Sequence, residues 1–330
     1  MNNILKKYKI LINHNMIKNK KIFITGGAGF IANNIISKLI DDNEITVFDN
    51  FSRDSLSNSN FVTSSNIKII KGDVLDFDNL VKSLVDIDVV IHMAAIVGIN
   101  TVLKNSVKTI DVNITGTKNV LQAAYINSIK DKFINFSTSE IFGNYAFKPD
   151  EKSSAVSGTA GEARWGYAVS KLAAEHLTQA YYREYKLPTV TVRPFNVYGP
   201  GQTGEGALQT FIKKALKNED ISIHGDGNQI RAWCYIDDFV DGILKIIDNN
   251  KSAGEIFNIG NPRTIITIYG LAQTICRVLN SKSKIIFVPA LSADVELRIP
   301  SIEKARDILN FDPKVDVEEG IRYTTEWIKK

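Results

Sequence analysis

Tyr167 and Lys171 stand four residues apart in the stretch Arg164-Trp165-Gly166-Tyr167-Ala168-Val169-Ser170-Lys171. On a helix this spacing puts both side chains on one face. A phenol with an ordinary pKa near 10 is a poor base at neutral pH. A neighbouring ammonium favours the phenolate, so the expectation is a Tyr167 whose pKa falls toward the working range. Such a group takes a proton from an alcohol. Upstream, Ser137-Thr138-Ser139-Glu140 follows an apolar run. Thr138 is suited to hydrogen-bond the oxygen that Tyr167 deprotonates. Glu140 adds a carboxylate that simple alcohol oxidation does not need, and it reads equally as a cap or loop acid.

An alcohol that loses its proton must also lose a hydride, and Thr25-Gly26-Gly27-Ala28-Gly29-Phe30-Ile31-Ala32 offers the acceptor's place. Gly26, Gly29 and Ala32 occupy the positions of a dinucleotide-binding turn between a strand and a helix. The helix that opens at Phe30 and Ile31 directs N–H groups and positive dipole at a pyrophosphate. Asp49 stands 20 residues after Gly29, at the end of the second strand, followed by Asn50. An acid there accepts from a ribose 2′-OH and repels a 2′-phosphate, which favours NAD over NADP. Arg53, close by, pulls the other way. Asp73 and Val74 follow the third strand, where Asp73 can cap the next helix or reach the adenine. The small residues Ala94 and Ala95 end the fourth strand and let backbone lie along the cofactor. A bound, positively charged nicotinamide adds to the pull on the Tyr167 proton, and Lys171 can also reach its ribose.

These groups need a scaffold. The first half alternates apolar, β-branched runs with helical stretches: Lys21–Thr25, 45–48, 67–70, 88–91, Lys132–Phe136 and 189–192 read as strands. Phe30–Leu39, 113–124 and 165–185 read as helices. Continuous apolar strands that alternate with helices predict a parallel sheet covered on both faces, an α/β doubly wound Rossmann fold. The pattern then loosens into Gly-rich loops at 199–206 and 224–228. Helical stretches follow at 208–217, 237–247 and 267–279, and a Pro-punctuated part runs from Pro289 to Pro313. The expected organisation is an extension at 1–20, a cofactor domain at 21–193, and a smaller substrate domain at 194–330 from which some chain crosses back.

The bulk composition excludes other classes. The 330 residues are 44% hydrophobic and 23% charged, ordinary for a globular protein of about two domains. The formal charge of +4 owes much to Lys6, Lys7, Lys9, Lys18, Lys20 and Lys21, ahead of the first strand. A short run of this kind is a solvated segment rather than a nucleic-acid or membrane surface. Ile10-Leu11-Ile12 is too short for a signal segment, and Met16 stands where a chain of this type would begin. No run approaches the ~18 apolar residues of a membrane span. Cys234 and Cys276 make neither a disulfide framework nor a metal-ligand set. A reducing cytoplasm and no metal are the expectations.

Taken together, these residues resemble the extended short-chain dehydrogenase/reductase family, in particular its nucleotide-sugar epimerases, dehydratases and decarboxylases. Further segments carry the resemblance: 193–201 (RPFNVYGPG), 224–231 (HGDGNQIR), 235–238 (YIDD), 258–261 (NIGN) and 294–298 (DVELR). The resemblance implies tightly held NAD and a sugar linked to a nucleoside diphosphate. It implies that Asn196, Arg231 and Arg298 contact the diphosphate or nearby substrate, as guanidinium forks suit. It implies a homodimer through a four-helix bundle made by the helices at 113–124 and 165–185.

The shared chemistry of the family begins with removal of the 4-hydroxyl proton by Tyr167 and hydride transfer from C4 to NAD. Epimerases return the hydride to the other face. Dehydratases use a base at the Glu140 position on C5, and GDP-mannose 4,6-dehydratases carry a similar Thr-Ser-Glu. The dTDP-glucose type has an Asp where Ser139 stands. Decarboxylases of UDP-glucuronate resemble the triplet too, and one kind shares Arg-Trp before its Tyr and an Arg at the Arg298 position. This chain has Gly206 and Ala207 where decarboxylases tend to carry an arginine. The expectation is therefore a C4 epimerase or a 4,6-dehydratase on equal terms, with a decarboxylase third. A non-catalytic NAD-binding sensor is the rival from another class, and it would be expected to lack Tyr or Lys of the pair.

Overall fold

The computed structural model describes residues 17–204, 206–291 and 294–330. Lys6, Lys7, Lys9, Ile10–Ile12 and Met16, and most of the 1–20 extension, lie outside the described residues.

In chain order the first half forms β1 (Lys21–Thr25), α1 (Phe30–Leu39), β2 (Glu44–Asp49), β3 (Ile67–Lys71), α2 (Phe77–Ser83) and β4 (Val89–His92). It continues with α3 (Ile99–Lys104), α4 (Ser106–Ile126), β5 (Lys132–Phe136), a 3₁₀ turn (Ser139–Phe142), β6 (Tyr145–Phe147), α5 (Ala163–Tyr185) and β7 (Thr189–Pro194). The second half forms β8 (Val197–Tyr198), α6 (Ala207–Leu216), β9 (Ile221–His224), β10 (Ile230–Ala232), β11 (Cys234–Tyr235), α7 (Ile236–Asp248) and β12 (Ile256–Ile259). It ends with β13 (Ile265–Thr267), α8 (Ile268–Leu279), β14 (Ile285–Val288), β15 (Leu297–Ile299), α9 (Glu303–Leu309) and α10 (Val317–Ile328).

Seven parallel strands make the central sheet in the order β3-β2-β1-β4-β5-β7-β12. This is the doubly wound Rossmann arrangement, with its switch point between β1 and β4. Alternation along β1 explains the two layers. Ile22 and Ile24 point into a core shared with α1 and α7, whereas Phe23 points into a core shared with α2 and α4. Both faces are therefore dry, as the continuous apolar strands predict. The seventh strand, β12, comes from the second half and pairs with β7 from the first. A second sheet, β13-β10-β15-β6, also joins the halves, because β6 lies before residue 190.

Helix α4 begins at Ser106, seven residues earlier than the sequence pattern gives. Val107 in its first turn is 84% exposed and Ile110 is 43% exposed, so the apolar spacing there does not follow the buried face. Among the described residues no helix is long and apolar enough to cross a membrane.

Candidate active site

A cleft of about 740 Å³ runs across the carboxyl edge of the central sheet. Such an edge, at a switch point, is where open α/β sheets bind ligands. The cleft collects Gly26, Gly29, Phe30, Ile31, Asp49, Asn50, Asp73, Val74, Ala94 and Ala95 at one end. It collects Thr138, Ser139, Glu140, Asn196, Arg231 and Arg298 at the other.

Backbone and small side chains build the first end. Gly26 turns the chain with φ +69, and a Cβ there would stand 2.7 Å from the Ala94 nitrogen and 2.8 Å from the Met93 carbonyl carbon. Only glycine fits. Gly29 is the N-cap of α1 and brings no side-chain cap, so the free N–H groups of the first turn face the cleft wall. Asp49 accepts from Ala28 N–H at 3.0 Å and from Phe51 N–H at 2.7 Å, which ties the end of β2 to the turn. Burial pushes its carboxyl upward, against these hydrogen bonds. The Arg53 guanidinium turns away, donating to the Val97 carbonyl at 2.7 Å and to Thr101 at 3.2 Å. Asp73 does not cap α2; Asp76 does, while Asp73 accepts from Leu75 N–H in its own turn. Asn50 likewise accepts from Ser52 N–H. The open helix end, the glycine turn and the acid at β2 fit a dinucleotide.

A buried polar chain connects this end to the Tyr167 helix. His92 bridges the hydroxyls of Thr25 (2.7 Å) and Thr117 (3.0 Å). Thr117 donates to the Asn113 carbonyl, the Asn113 amide donates to Ser170 at 3.0 Å, and Ser170 donates to the Tyr167 carbonyl at 2.7 Å. Burial, then the charge of Lys171, push His92 down to about 3, so it is neutral at physiological pH. Asn113 fixes α5 against α4, yet the sequence pattern marks it only as a helix residue.

Tyr167 and Lys171 are not among the side chains that border the cleft. Tyr167 is half-buried as a residue, but its hydroxyl sits in dense surroundings and is hydrogen-bonded by the Thr138 side chain. The expected fall of its pKa is reversed by the protein's own groups. Burial holds the phenol well above its usual value, the Glu140 charge adds to this, and the Thr138 hydrogen bond opposes it. Burial also pushes Lys171 down to about 8, with Glu175 acting the other way. The 3₁₀ turn after β5 positions Thr138 and Glu140, since Thr138 caps the turn by accepting from Glu140 N–H at 3.2 Å.

The second end is ionic. β10 and β15 pair in parallel with Arg231 opposite Arg298, so two guanidiniums share one face. Like charges placed so repel, and the fold compensates. Arg231 donates to the Val295 carbonyl, and its guanidinium lies 3.5 Å from Asp294. Arg298 donates to Ser139 at 3.1 Å and to the Gly143 carbonyl. Burial pushes both to about 10, so both stay charged. Arg164, from the first turn of α5, joins them. It is 2.9 Å from Glu140 and 3.2 Å from Asp294. Among the described residues, three guanidiniums thus face two carboxylates. Arg164 and Asp294 are visible in the sequence only as parts of motifs, and nothing in their spacing announces that they meet. Asn196 has φ +42 and donates its amide to the Ala232 carbonyl at 2.9 Å, at the rim of this group. At the Gly206-Ala207 position no arginine stands, and Gly206 is the N-cap of α6.

A seven-stranded Rossmann sheet with a Tyr–Lys helix beside a dinucleotide turn defines an NAD-dependent oxidoreductase-type fold. Residues 22–260 match the model of the NAD dependent epimerase/dehydratase family, and the chain belongs to that family. It is 34% identical to the UDP-N-acetyl-alpha-D-glucosaminuronate decarboxylase of Bacillus cytotoxicus, over 94% of this chain and 98% of that protein. It is 33% identical to the mouse dTDP-D-glucose 4,6-dehydratase, over 94% of this chain and 89% of that protein. Among solved structures it is similar to UDP-glucuronic acid 4-epimerase of Bacillus cereus, determined with UDP-glucuronic acid and NAD. That likeness has a TM-score of 0.85 at 30% identity, and it covers 94% of this chain and 99% of the other. The family works on nucleotide sugars with NAD, and its relatives divide among decarboxylases, dehydratases and epimerases.

Proposed function

We propose that this protein oxidises a nucleoside-diphosphate-linked hexuronate at C4 and decarboxylates it. The observation that carries the reading is the excess of guanidinium over carboxylate at the sugar end of the cleft. Among the described residues, Arg164, Arg231 and Arg298 converge with Glu140 and Asp294. A diphosphate and a sugar carboxylate together suit that surplus. Ser139 offers a hydroxyl that already accepts from Arg298, not the carboxylic acid a leaving 6-hydroxyl needs. The decarboxylase relative supports the same choice. This order places decarboxylation first, where the sequence alone placed it third.

In the proposed mechanism Gly26, Gly29, Phe30, Ile31 and Asp49 hold NAD, with Asn50, Asp73, Val74, Ala94 and Ala95 along its adenosine and pyrophosphate. NAD held there would supply the acceptor, and later the donor, of the C4 hydride. Tyr167 takes the 4-hydroxyl proton while Thr138 keeps the phenol oxygen aligned. Lys171 supplies positive charge one helical turn away. The resulting ketone lies β to the C6 carboxylate. As the C5–C6 bond breaks, its electron pair moves toward the C4 oxygen and carbon dioxide leaves. Tyr167 returns its proton to the 4-oxygen in the final reduction, and a solvent proton enters at C5. Arg231, Arg298 and Asn196 hold the diphosphate and carboxylate.

C4 epimerisation is the second reading, favoured by the absence of an arginine at Gly206-Ala207. Incubation with UDP-glucuronate, UDP-N-acetylglucosaminuronate, UDP-glucose and dTDP-glucose, followed by mass spectrometry, separates the outcomes. Loss of carbon dioxide from a uronate supports the proposal. Loss of water would make it a dehydratase. Unchanged mass with an inverted C4 by NMR would make it an epimerase. Bound NAD with no turnover on any donor would favour the sensor. We further propose a homodimer through α4 and α5, where Leu103, Val107, Ile110 and Val169 expose an apolar strip beside and along the two helices.

A further inference from the structure

We propose that Arg164 is a positioning residue that governs the charge felt by the Tyr167 phenol, by holding Glu140 and Asp294 as one compensated unit. The inference rests on Tyr167 acting as the base in the reading above. Arg164 lies three residues before Tyr167, so the two occupy one face of α5 a turn apart. Its two terminal nitrogens reach different elements. One meets Glu140 on the turn after β5 at 2.9 Å, and the other meets Asp294 ahead of β15 at 3.2 Å. The Arg164 side chain is 9% exposed, while the Glu140 and Asp294 side chains are 24% and 28% exposed. The cation is therefore built in, and both anions border the site.

Glu140 is the charged group that, after burial, most favours the protonated phenol. Lys171 follows Tyr167 by one turn of α5, and Arg231 and Arg298 face Glu140 from β10 and β15. Among the described residues, Arg164 is the cation that forms an ion pair with Glu140. Remove that pair and the Glu140 charge, left with only the more distant Arg231 and Arg298 to offset it, acts more strongly on the phenol through partly buried surroundings. The phenol would then hold its proton to higher pH, and less of the base form would exist at neutral pH.

The test is an ultraviolet difference titration of the NAD-loaded protein, each protein minus its Tyr167→Phe counterpart, so that only the Tyr167 phenolate is read. Arg164→Gln should move that titration upward by about one pH unit. Arg164→Lys, which keeps the charge, should stay close to the parent. Glu140→Gln should move it downward, and Arg164→Gln added to Glu140→Gln should then move it far less than in the parent. A double-mutant cycle of this kind isolates the coupling. If Arg164→Gln does not fold, the downward shift in Glu140→Gln and the unmoved Arg164→Lys still decide. An unmoved titration in Arg164→Gln, or equal shifts with and without Glu140, would overturn the inference and leave Arg164 a packing or substrate contact. Where the parent Tyr167 titrates beyond alkaline unfolding, the pH profile of turnover with UDP-glucuronate carries the same comparison. Identical profiles in the parent and Arg164→Gln would overturn the inference, and parent-like turnover in Tyr167→Phe would instead overturn the assignment of Tyr167 as base.

Discussion

The two ends of the cleft are built from different materials. The cofactor end is backbone: a glycine turn, an uncapped helix start and one acid that accepts from two N–H groups. The sugar end is side chain. Arg164, Arg231, Arg298, Glu140 and Asp294 converge from α5, β10, β15, the turn after β5 and the segment ahead of β15. Backbone sites depend on conformations that few residues can adopt, so they leave a fixed-spacing signature. Side-chain sites depend on long flexible groups whose meeting is decided by tertiary structure. On the proposed reading, the first kind recognises the shared cofactor and the second decides which sugar chemistry follows.

Replacing the proposed base, which contacts the cleft through Thr138, should have the largest effect. Tyr167→Phe removes the proton acceptor while leaving both ends intact. Turnover should fall at least ~100-fold, the scale of general acid–base catalysis, with NAD still bound. Near-parent turnover in a steady-state assay would remove Tyr167 from the mechanism and leave the site without a base.

The backbone end is broken by one methyl group. Gly26→Ala puts a Cβ within 2.9 Å of three Met93 and Ala94 backbone atoms, in a left-handed conformation. Thermal or denaturant unfolding should show a loss of roughly 2 kcal/mol or more, with NAD retention lost alongside it. Parent-like stability would mean that the turn relaxes and that its glycine is not required by sterics. The matching side-chain change at this end is smaller. Asp49→Asn keeps shape and some hydrogen bonding but removes the charge that repels a 2′-phosphate. NAD affinity should weaken about tenfold and the preference over NADP should narrow, as calorimetry would measure. An unchanged preference would shift the discrimination to another group, such as Arg53.

The same contrast explains what could be read from the sequence. β1 to β5 and β7 are short runs rich in apolar and β-branched residues, and their alternation with helical stretches made the parallel sheet legible. β12 was not read as a strand of the central sheet, because its four residues, Ile256–Ile259, lie far along the chain and include Asn258. The early start of α4 was hidden by exposed Val107 and Ile110. At the site, Gly26, Gly29, Asp49, Tyr167 and Lys171 were legible from spacing. Asp73 was legible as a cleft residue but not as the partner of Leu75. Arg164 and Asp294 stood in recognised segments without roles, since they are 130 residues apart and meet only in the folded chain. The burial of Tyr167 and the approach of Glu140, which both favour its protonated form, are tertiary facts and were not legible.

The smallest effect probes what joins the two ends. His92 is held neutral between Thr25 and Thr117, at about 3 against an ordinary 6.5. In the unfolded chain it takes a proton as pH falls through its ordinary value, while in the folded chain it does not. The unfolded state then binds more protons, so folding stability drops as pH falls from the unfolded pKa toward the folded one. The parent should lose about 1 kcal/mol from this group between about pH 7 and about pH 5.5. Asp238, pushed up to about 6 by burial, acts in the opposite sense, so the absolute slope mixes several groups. The difference between parent and His92→Gln isolates one of them, because glutamine cannot take the charge yet can bridge the same hydroxyls. Denaturant unfolding of both proteins at the two pH values measures it. A gap between parent and variant that stays constant with pH would mean that His92 can charge in place, and the polar chain from the glycine turn to the tyrosine helix would then be open to solvent rather than a rigid connection.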